Sequence, residues 1–127
     1  MAGKDIGVRV ARDRAGAGPM VSGFAGRGFR IDGVAMDGAL LTPLWAREWA
    51  DPAIDEAAIA DLLAVSPPPE FILIGTGASL LRPPPAFVAA IEARGIGVEA
   101  MDSRAAARAW GVLRAEDRWI AAALMPL

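Results

Sequence analysis

Phe71-Ile72-Leu73-Ile74 is an unbroken apolar run that leads directly into the turn sequence Gly75-Thr76-Gly77. A short run that is apolar at every position is typical of a strand buried on both faces of a sheet. The two glycines around Thr76 let the backbone turn sharply and come close to a neighbouring element or a ligand. We therefore expect the rest of the chain to pack around a central strand that ends in this turn.

The residues after the turn predict a strand–helix–strand unit. The prolines at 83–85 suit a first helical turn, and a helix over about residues 85–94 would stop at Gly95. Residues 97–101 then read as a second strand. Such a crossover is right-handed and makes its two strands parallel. Residues 75–77 and 101–103 should therefore face each other across one edge of the sheet.

Two more helices and a final strand follow from the apolar periodicity. Asp55 is a good N-cap for a helix whose buried stripe is Ile59, Leu62 and Leu63. Asp102 or Ser103 caps another helix that runs to about residue 113. Residues 118–124 are apolar on both faces, which predicts a strand in the interior of the sheet.

The first third of the chain predicts a β-meander. Asp32-Gly33 lies between two short apolar runs and favours a hairpin, because both turn positions need positive φ. Asp37-Gly38 repeats the pattern before a strand at 39–43. Trp45 and Trp49 predict a short turn that caps the core with indoles, with an exposed binding patch as the alternative. Residues 1–18 predict a loosely ordered arm ahead of a single α/β domain at 19–127.

Composition narrows the classes of chemistry that are open to the chain. Its 127 residues suit one domain, and they contain no histidine and no cysteine. Ser-His-Asp and Cys-His catalysis, disulfides and cysteine-based metal sites are therefore excluded. Aspartate, glutamate, arginine, Lys4 and a few hydroxyls remain, and no convincing pair of carboxylates stands out. We expect no metal and no cofactor.

Charge and hydropathy bear on the partners and the compartment. The net charge of −2 gives no electrostatic footprint for nucleic acid. No apolar run reaches the ~18 residues of a membrane span, and the N-terminus has no apolar core of a signal peptide. These features predict a soluble, cytoplasmic protein. We also expect a monomer or a weak homodimer, although these features do not determine the oligomeric state.

Several ordered motifs between residues 20 and 127 resemble one family, the domain-of-unknown-function family 498. They are Gly28-Phe29-Arg30-Ile31, Gly38-x-Leu40-Leu41-x-Pro43, Leu73-Ile74-Gly75-Thr76-Gly77, residues 97–103, Ala106 with Arg108, and Val112-Leu113-x-x-Glu116-x-Arg118. The resemblance implies three layers, β+α/β/α, around a mixed five-stranded sheet. Residues 107–111 read Ala-Arg-Ala-Trp-Gly where the family usually reads Cys-Arg-Thr-Tyr-Asn, so any chemistry of those lost polar groups is absent here.

The candidate site is the predicted edge where strand ends meet. The first interpretation of Gly75-Thr76-Gly77 is a tight structural turn; the alternative is a small anion or a partner peptide held by the amides of Thr76 and Gly77, with Arg82 nearby. Leu80 stands where a dinucleotide fingerprint needs its third glycine, which argues against a nucleotide-binding site. Asp102 and Ser103 flank the edge, where Asp102 acts first as a helix cap.

Two arginines complete the list of candidate residues. Arg108 could reach Glu99 or Asp102, or lie on a tryptophan face. Glu116 and Arg118 predict a local ion pair of little energetic value.

Two functions remain open from the sequence. The first is a non-catalytic protein-binding or assembly module. The family resemblance implies this role because family members include a mitochondrial complex I assembly factor. The alternative is a small anionic-ligand binder or an enzyme that uses the edge formed by Gly75-Thr76-Gly77 and Asp102.

Overall fold

The computed structural model describes residues 17–127, so most of the arm predicted at residues 1–18 lies outside the described part. Within it, the elements follow in the order β1 (Val21–Ala25), β2 (Gly28–Ile31), β3 (Val34–Met36), β4 (Ala39–Leu41), β5 (Ala46–Glu48), α1 (Ala60–Leu63), β6 (Phe71–Gly75), α2 (Pro85–Glu92), β7 (Gly97–Met101), α3 (Ser103–Ala115) and β8 (Ala121–Leu124).

The strands form two sheets. A five-stranded sheet has the order β5-β4-β8-β6-β7, and β1, β2 and β3 form a separate antiparallel sheet. β6 runs parallel to both β7 and β8, while β4 is antiparallel to β5 and β8. The predicted mixed sheet is confirmed, with its last strand in the interior and with β6 parallel to β7.

β6 contributes to two apolar cores, because its side chains alternate between the two faces of the sheet. Leu73 packs with α3 and the three-stranded sheet, beside Phe29 and Trp110. Ile72 and Ile74 pack on the other face against α1 and α2. Each core contains large side chains that are fully buried, so the three predicted layers, β+α/β/α, are confirmed.

The hairpin prediction at Asp32-Gly33 is confirmed, and the one at Asp37-Gly38 is wrong. Asp32 and Gly33 have φ of 50° and 84°, as a tight hairpin between β2 and β3 requires. At Asp37-Gly38 the chain instead crosses from one sheet to the other, and β4 pairs with β5 and β8. A Cβ on Gly38 would lie 3.0 Å from Trp49 O, so this glycine serves a close backbone approach.

Two other local predictions also need correction. Residues 46–48, expected within a turn, form the edge strand β5. The helix expected from Asp55 contains only Ala60–Leu63. Asp55 Oδ1 does accept the N–H of Ala58 at 2.8 Å, but it caps a preceding turn. That region uses tighter i→i+3 bonds, such as Leu62 N to Ile59 O at 2.9 Å.

Candidate functional site

The strand ends meet as predicted. β6 and β7 pair in register from Phe71 with Gly97 to Gly75 with Met101. Beyond the paired residues, Thr76 N donates to Met101 O at 2.9 Å and Ser103 N donates to Gly77 O at 2.8 Å. Residues 75–77 and 101–103 therefore face each other across the edge.

A third strand end joins this contact through Ser103. The Ser103 hydroxyl is buried; it accepts the N–H of Gly77 at 2.8 Å and donates to Met125 O at 2.8 Å. Met125 N in turn donates to Gly75 O at 2.9 Å. We call residues 75–77, 101–103 and 124–125 the strand-end junction, because one side chain ties three strand ends together there.

The Thr76 side chain is committed to the loop that follows it. Its hydroxyl donates to Ser79 O at 2.7 Å and accepts the N–H of Leu81 at 2.9 Å. The residue is 4% exposed. Asp102 is the N-cap of α3, since its Oδ1 accepts the N–H of Ala105 at 2.8 Å.

The junction therefore offers little to a ligand. The amides of Thr76 and Gly77 both donate to protein acceptors already. A Cβ on Gly75 would lie 2.8 Å from Ser103 Oγ and 3.0 Å from Leu124 Cδ2, so the interior is closely packed. Arg82 is exposed on the loop that follows the junction. The geometry fits a structural turn better than an anion cradle.

Arg108 lies elsewhere, on the outer side of α3. It lines a groove of about 460 Å³ between α3 and β1, which we call the β1–α3 groove. The groove is lined by Met20, Val21, Ser22, Gly23, Phe24, Ala107, Arg108, Gly111 and Val112. The structure thus brings Gly75, Thr76, Gly77, Asp102 and Ser103 together and places Arg108 at a separate surface.

Three large apolar side chains of this groove are open to solvent. Met20 is 43% exposed, Phe24 45% and Val112 60%. Phe24 leans on the buried Phe29, with ring centroids 6.0 Å apart, and the Arg104 guanidinium lies 5.5 Å from the Phe24 ring. Sequence reasoning missed this surface because Phe24 shares a face with the buried Phe29 and is exposed through its place on β1, an edge strand of the three-stranded sheet.

Hydrogen bonds from α3 fix the chain that leads into β1. Trp110 Nε1 donates to Pro19 O at 2.9 Å. The buried Arg114 donates to Ala17 O at 2.7 Å and to Arg118 O at 2.6 Å. These bonds hold one wall of the β1–α3 groove in place. Nothing in the sequence distinguished Arg114 from the exposed arginines of the same helix.

A second groove, of about 390 Å³, runs beside β7, and we call it the β7 groove. It is lined by Glu70, Phe71, Leu73, Gly97, Glu99, Met101, Ala109 and Leu113. Its floor is mostly apolar, and Glu99 is an exposed acid on its outer side.

The predicted pair of Glu116 with Arg118 is wrong. Arg118 bonds instead to Glu70, with Nη2 to Oε1 at 2.8 Å. This hydrogen bond, helped by the charge of Arg118, lowers the pKa of Glu70, and the same bond raises the pKa of Arg118. Arg118 pairs with Glu70 and not with Glu116 because of the strand pairing. Glu70 N donates to Trp119 O, which places the side chains of Glu70 and Arg118 next to each other.

The described part of the chain contains neither a cluster of metal ligands nor a membrane-spanning helix. Between residues 17 and 127, no three acidic, histidine or cysteine side chains cluster closely enough to hold a metal ion. The helices of that region are all too short to cross a bilayer.

Comparisons with known proteins give consistent results. The model of a family described as "Protein of unknown function (DUF498/DUF598)" matches residues 21–125. A Danio rerio protein named NADH dehydrogenase (ubiquinone) 1 alpha subcomplex assembly factor 3 is 31% identical over 126 residues, covering 94% of this chain and 71% of the relative. An uncharacterised Rhodobacter capsulatus protein is 34% identical over 113 residues, covering 89% and 88%.

A solved structure is similar in fold as well. The crystal structure of a Bordetella parapertussis protein matches with a TM-score of 0.76 and 30% identity, covering 87% of this chain and 98% of that one.

Proposed function

Because this chain belongs to the family of unknown function DUF498/DUF598, we propose that it is a non-catalytic protein-binding module. The zebrafish relative, which aligns with 94% of the chain, is named as an assembly factor. Binding other proteins is what such a role demands. We extend the proposal to the assembly of respiratory complex I, on the strength of that name.

The observation that carries the proposal is the β1–α3 groove. Exposed apolar side chains that are contiguous, rather than scattered, mark interaction surfaces. Here Met20, Phe24 and Val112 line one groove. Aromatic side chains held in place by packing are common anchors of interfaces, and Phe24 is held against Phe29.

The charge beside this groove indicates the chemistry of the partner. Arg104 and Arg108 stand one helical turn apart on α3, and both are exposed. A cationic border favours an acidic partner through electrostatic complementarity. The partner segment should therefore carry apolar side chains for the groove and aspartates or glutamates for the two arginines.

The described residues offer less support for catalysis than for protein binding. The chain has no histidine or cysteine, and the hydroxyls of Thr76 and Ser103 are engaged in internal hydrogen bonds. A hydroxyl that already serves two backbone groups is poorly placed to act as a nucleophile, since a neighbouring general base is also needed. This supports a binding role.

Capture from a native extract of the source organism tests the proposal. We expect Val112→Asp and Arg108→Glu to reduce the captured partner at least about tenfold, as for the loss of an interface anchor. Leu44→Asp is the matched control because Leu44 is 64% exposed but lies away from the groove. Equal capture by all variants would overturn the assignment of the groove.

Deletion of the gene tests the proposed pathway separately. We expect the amount of fully assembled complex I on a native gel to fall and to return with the wild-type chain. It should not return with Val112→Asp. An unchanged amount of assembled complex I in the deletion strain would remove that pathway and leave protein binding to be judged by the capture result.

A further inference from the structure

β7 is an open edge of the five-stranded sheet. Within residues 17–127 it pairs with β6 on one side and with no strand on the other. Gly97 donates its N–H to Glu70 O at 3.0 Å, and Met101 O accepts from Thr76 at 2.9 Å. Because successive residues of a strand alternate in direction, the backbone groups of Val98 and Ala100 point away from β6. Two donors and two acceptors are thus directed outward.

An apolar groove accompanies these backbone groups. Phe71, Leu73, Met101 and Leu113 form most of the floor of the β7 groove, on the face of the sheet that carries α3. An added strand would place every second side chain on this face. Main-chain bonds and alternate side-chain pockets are the two requirements for binding by strand addition.

Glu99 determines the charge that an added strand must carry. It lies at the centre of β7, opposite Leu73 in the register, and it lines the groove. Among the described residues Glu99 belongs to no ion pair, whereas Glu70 at the end of the groove is bonded to Arg118. A cross-strand cation opposite Glu99 would be favourable, and a carboxylate there would be unfavourable.

A second copy of this chain fits the edge poorly. Symmetric antiparallel pairing of two β7 strands about their midpoint would set Glu99 against the same residue of the other copy. Like charges directly opposite each other destabilise a strand pair, and charges on edge strands oppose self-association. The edge is therefore better suited to a different protein.

We propose that β7 accepts an extended segment of a partner protein as a sixth strand. The segment places a lysine or arginine opposite Glu99 and apolar side chains on either side of it, in the β7 groove. This inference rests on the proposed function, in that it assumes a protein partner, and it assigns a second contact surface and the sequence chemistry of the segment.

Two capped synthetic peptides provide the test, Ser-Val-Thr-Lys-Thr-Val-Ser and the same peptide with glutamate in place of lysine. Binding to the isotope-labelled full chain is followed by the amide signals of Val98 and Ala100. We expect the lysine peptide to bind about three- to tenfold more tightly, from one favourable against one unfavourable charge pair. Glu99→Lys should reverse the preference, while Glu48→Lys, on the opposite edge strand β5, should leave it unchanged.

Proline tests the backbone contribution. Ala100→Pro removes an outward N–H and leaves the bonds to β6 in place, and proline is tolerated on edge strands. We expect it to abolish binding of both peptides, while Ala100→Val retains it. The reversal by Glu99→Lys tests the same edge if the proline variant fails to fold.

Any of three results would contradict the proposed sixth strand. They are no shift of the Val98 and Ala100 amide signals with either peptide, peptide binding by a folded Ala100→Pro variant as tight as by the wild type, or an unchanged preference for the lysine peptide in Glu99→Lys. The proposed function is tested separately, by partner capture with the β1–α3 groove variants. If the peptides do not bind but those variants still lose the captured partner, only the sixth-strand proposal is rejected.

Discussion

Ser103 accepts the N–H of Gly77 at 2.8 Å across the strand-end junction. The same hydroxyl donates to Met125 O, so one buried side chain satisfies backbone groups from two other segments. The residues that looked most like a ligand site in the sequence are the ones that hold the ends of β6, β7 and β8 together. Their role is to stabilise the fold, and measurements of stability can test it.

Ser103→Ala should destabilise the fold without changing its shape. The substitution leaves the buried Gly77 N–H without an acceptor, which costs about 1–3 kcal/mol. Urea unfolding at neutral pH measures the loss. Ser79→Ala is the control, because Ser79 is exposed and contributes its backbone oxygen to Thr76. Equal stability of Ser103→Ala and the wild-type protein would contradict the structural role.

Two glycine substitutions should act in opposite directions. Gly77 has φ of 99°, and a Cβ there would lie 3.2 Å from Pro126 O, so Gly77→Ala should cost about 1–3 kcal/mol of backbone strain. Gly111 lies within α3, where a Cβ meets nothing within 4 Å. Gly111→Ala should therefore stabilise the protein by about 0.5–1 kcal/mol through helix propensity. Shifts of the same sign would contradict the assigned backbone roles.

The Glu70–Arg118 pair predicts a pH dependence of stability. Bonding to Arg118 lowers the pKa of Glu70 in the folded state below its ordinary value of about 4.3. The contribution of Glu70 is therefore present above that pH, and it is lost as the pH falls through the folded-state pKa. At neutral pH the free energy of unfolding should be higher for the wild-type protein than for Glu70→Gln. This difference should disappear in acid, where Glu70 is protonated.

Glu92→Gln is the control for this pH series, since Glu92 is exposed at the end of α2 and lies outside the pair. Its difference from wild type should be small at every pH. If the difference in unfolding free energy between wild type and Glu70→Gln stayed constant into acid, the charge of Glu70 would not contribute to stability.

The anion-binding alternative makes its own prediction. Because the amides of Thr76 and Gly77 already donate to Met101 O and Ser103 Oγ, phosphate, sulfate and small carboxylates should not raise the melting temperature beyond their general salt effect. Thermal-shift measurements decide this. A specific rise that Arg82→Ala removes, while Arg27→Ala leaves it, would revive a ligand role for the junction.

The centre of the fold was predictable from the sequence because its signals are local and strong. Residues 71–75 are a short apolar run joined through a helix to a second strand at 97–101, and a strand–helix–strand connection of this kind makes its two strands parallel. Asp32-Gly33 was equally clear, since positive φ at both positions leaves few other turns. The cap at Asp102 followed from its position before the apolar stripe of α3.

The surfaces were not predictable, because they depend on which elements meet in space. Phe24 shares a face with the buried Phe29, and its ring is exposed because β1 is an edge strand of its sheet. Arg118 selects Glu70, 48 positions away, rather than the neighbouring Glu116, since the sheet brings residues 70 and 119 together. Pairings of this kind are set by tertiary contacts that no local pattern encodes.

The most direct test of the central claim is crosslinking inside cells of the source organism. A photoreactive phenylalanine analogue is placed at position 24, at position 112 and, as the control, at position 44. We predict one protein adduct of the same identity from positions 24 and 112, lost with Arg108→Glu, and none from position 44. The absence of an adduct at both groove positions, or the same adduct from position 44, would contradict a partner-binding β1–α3 groove.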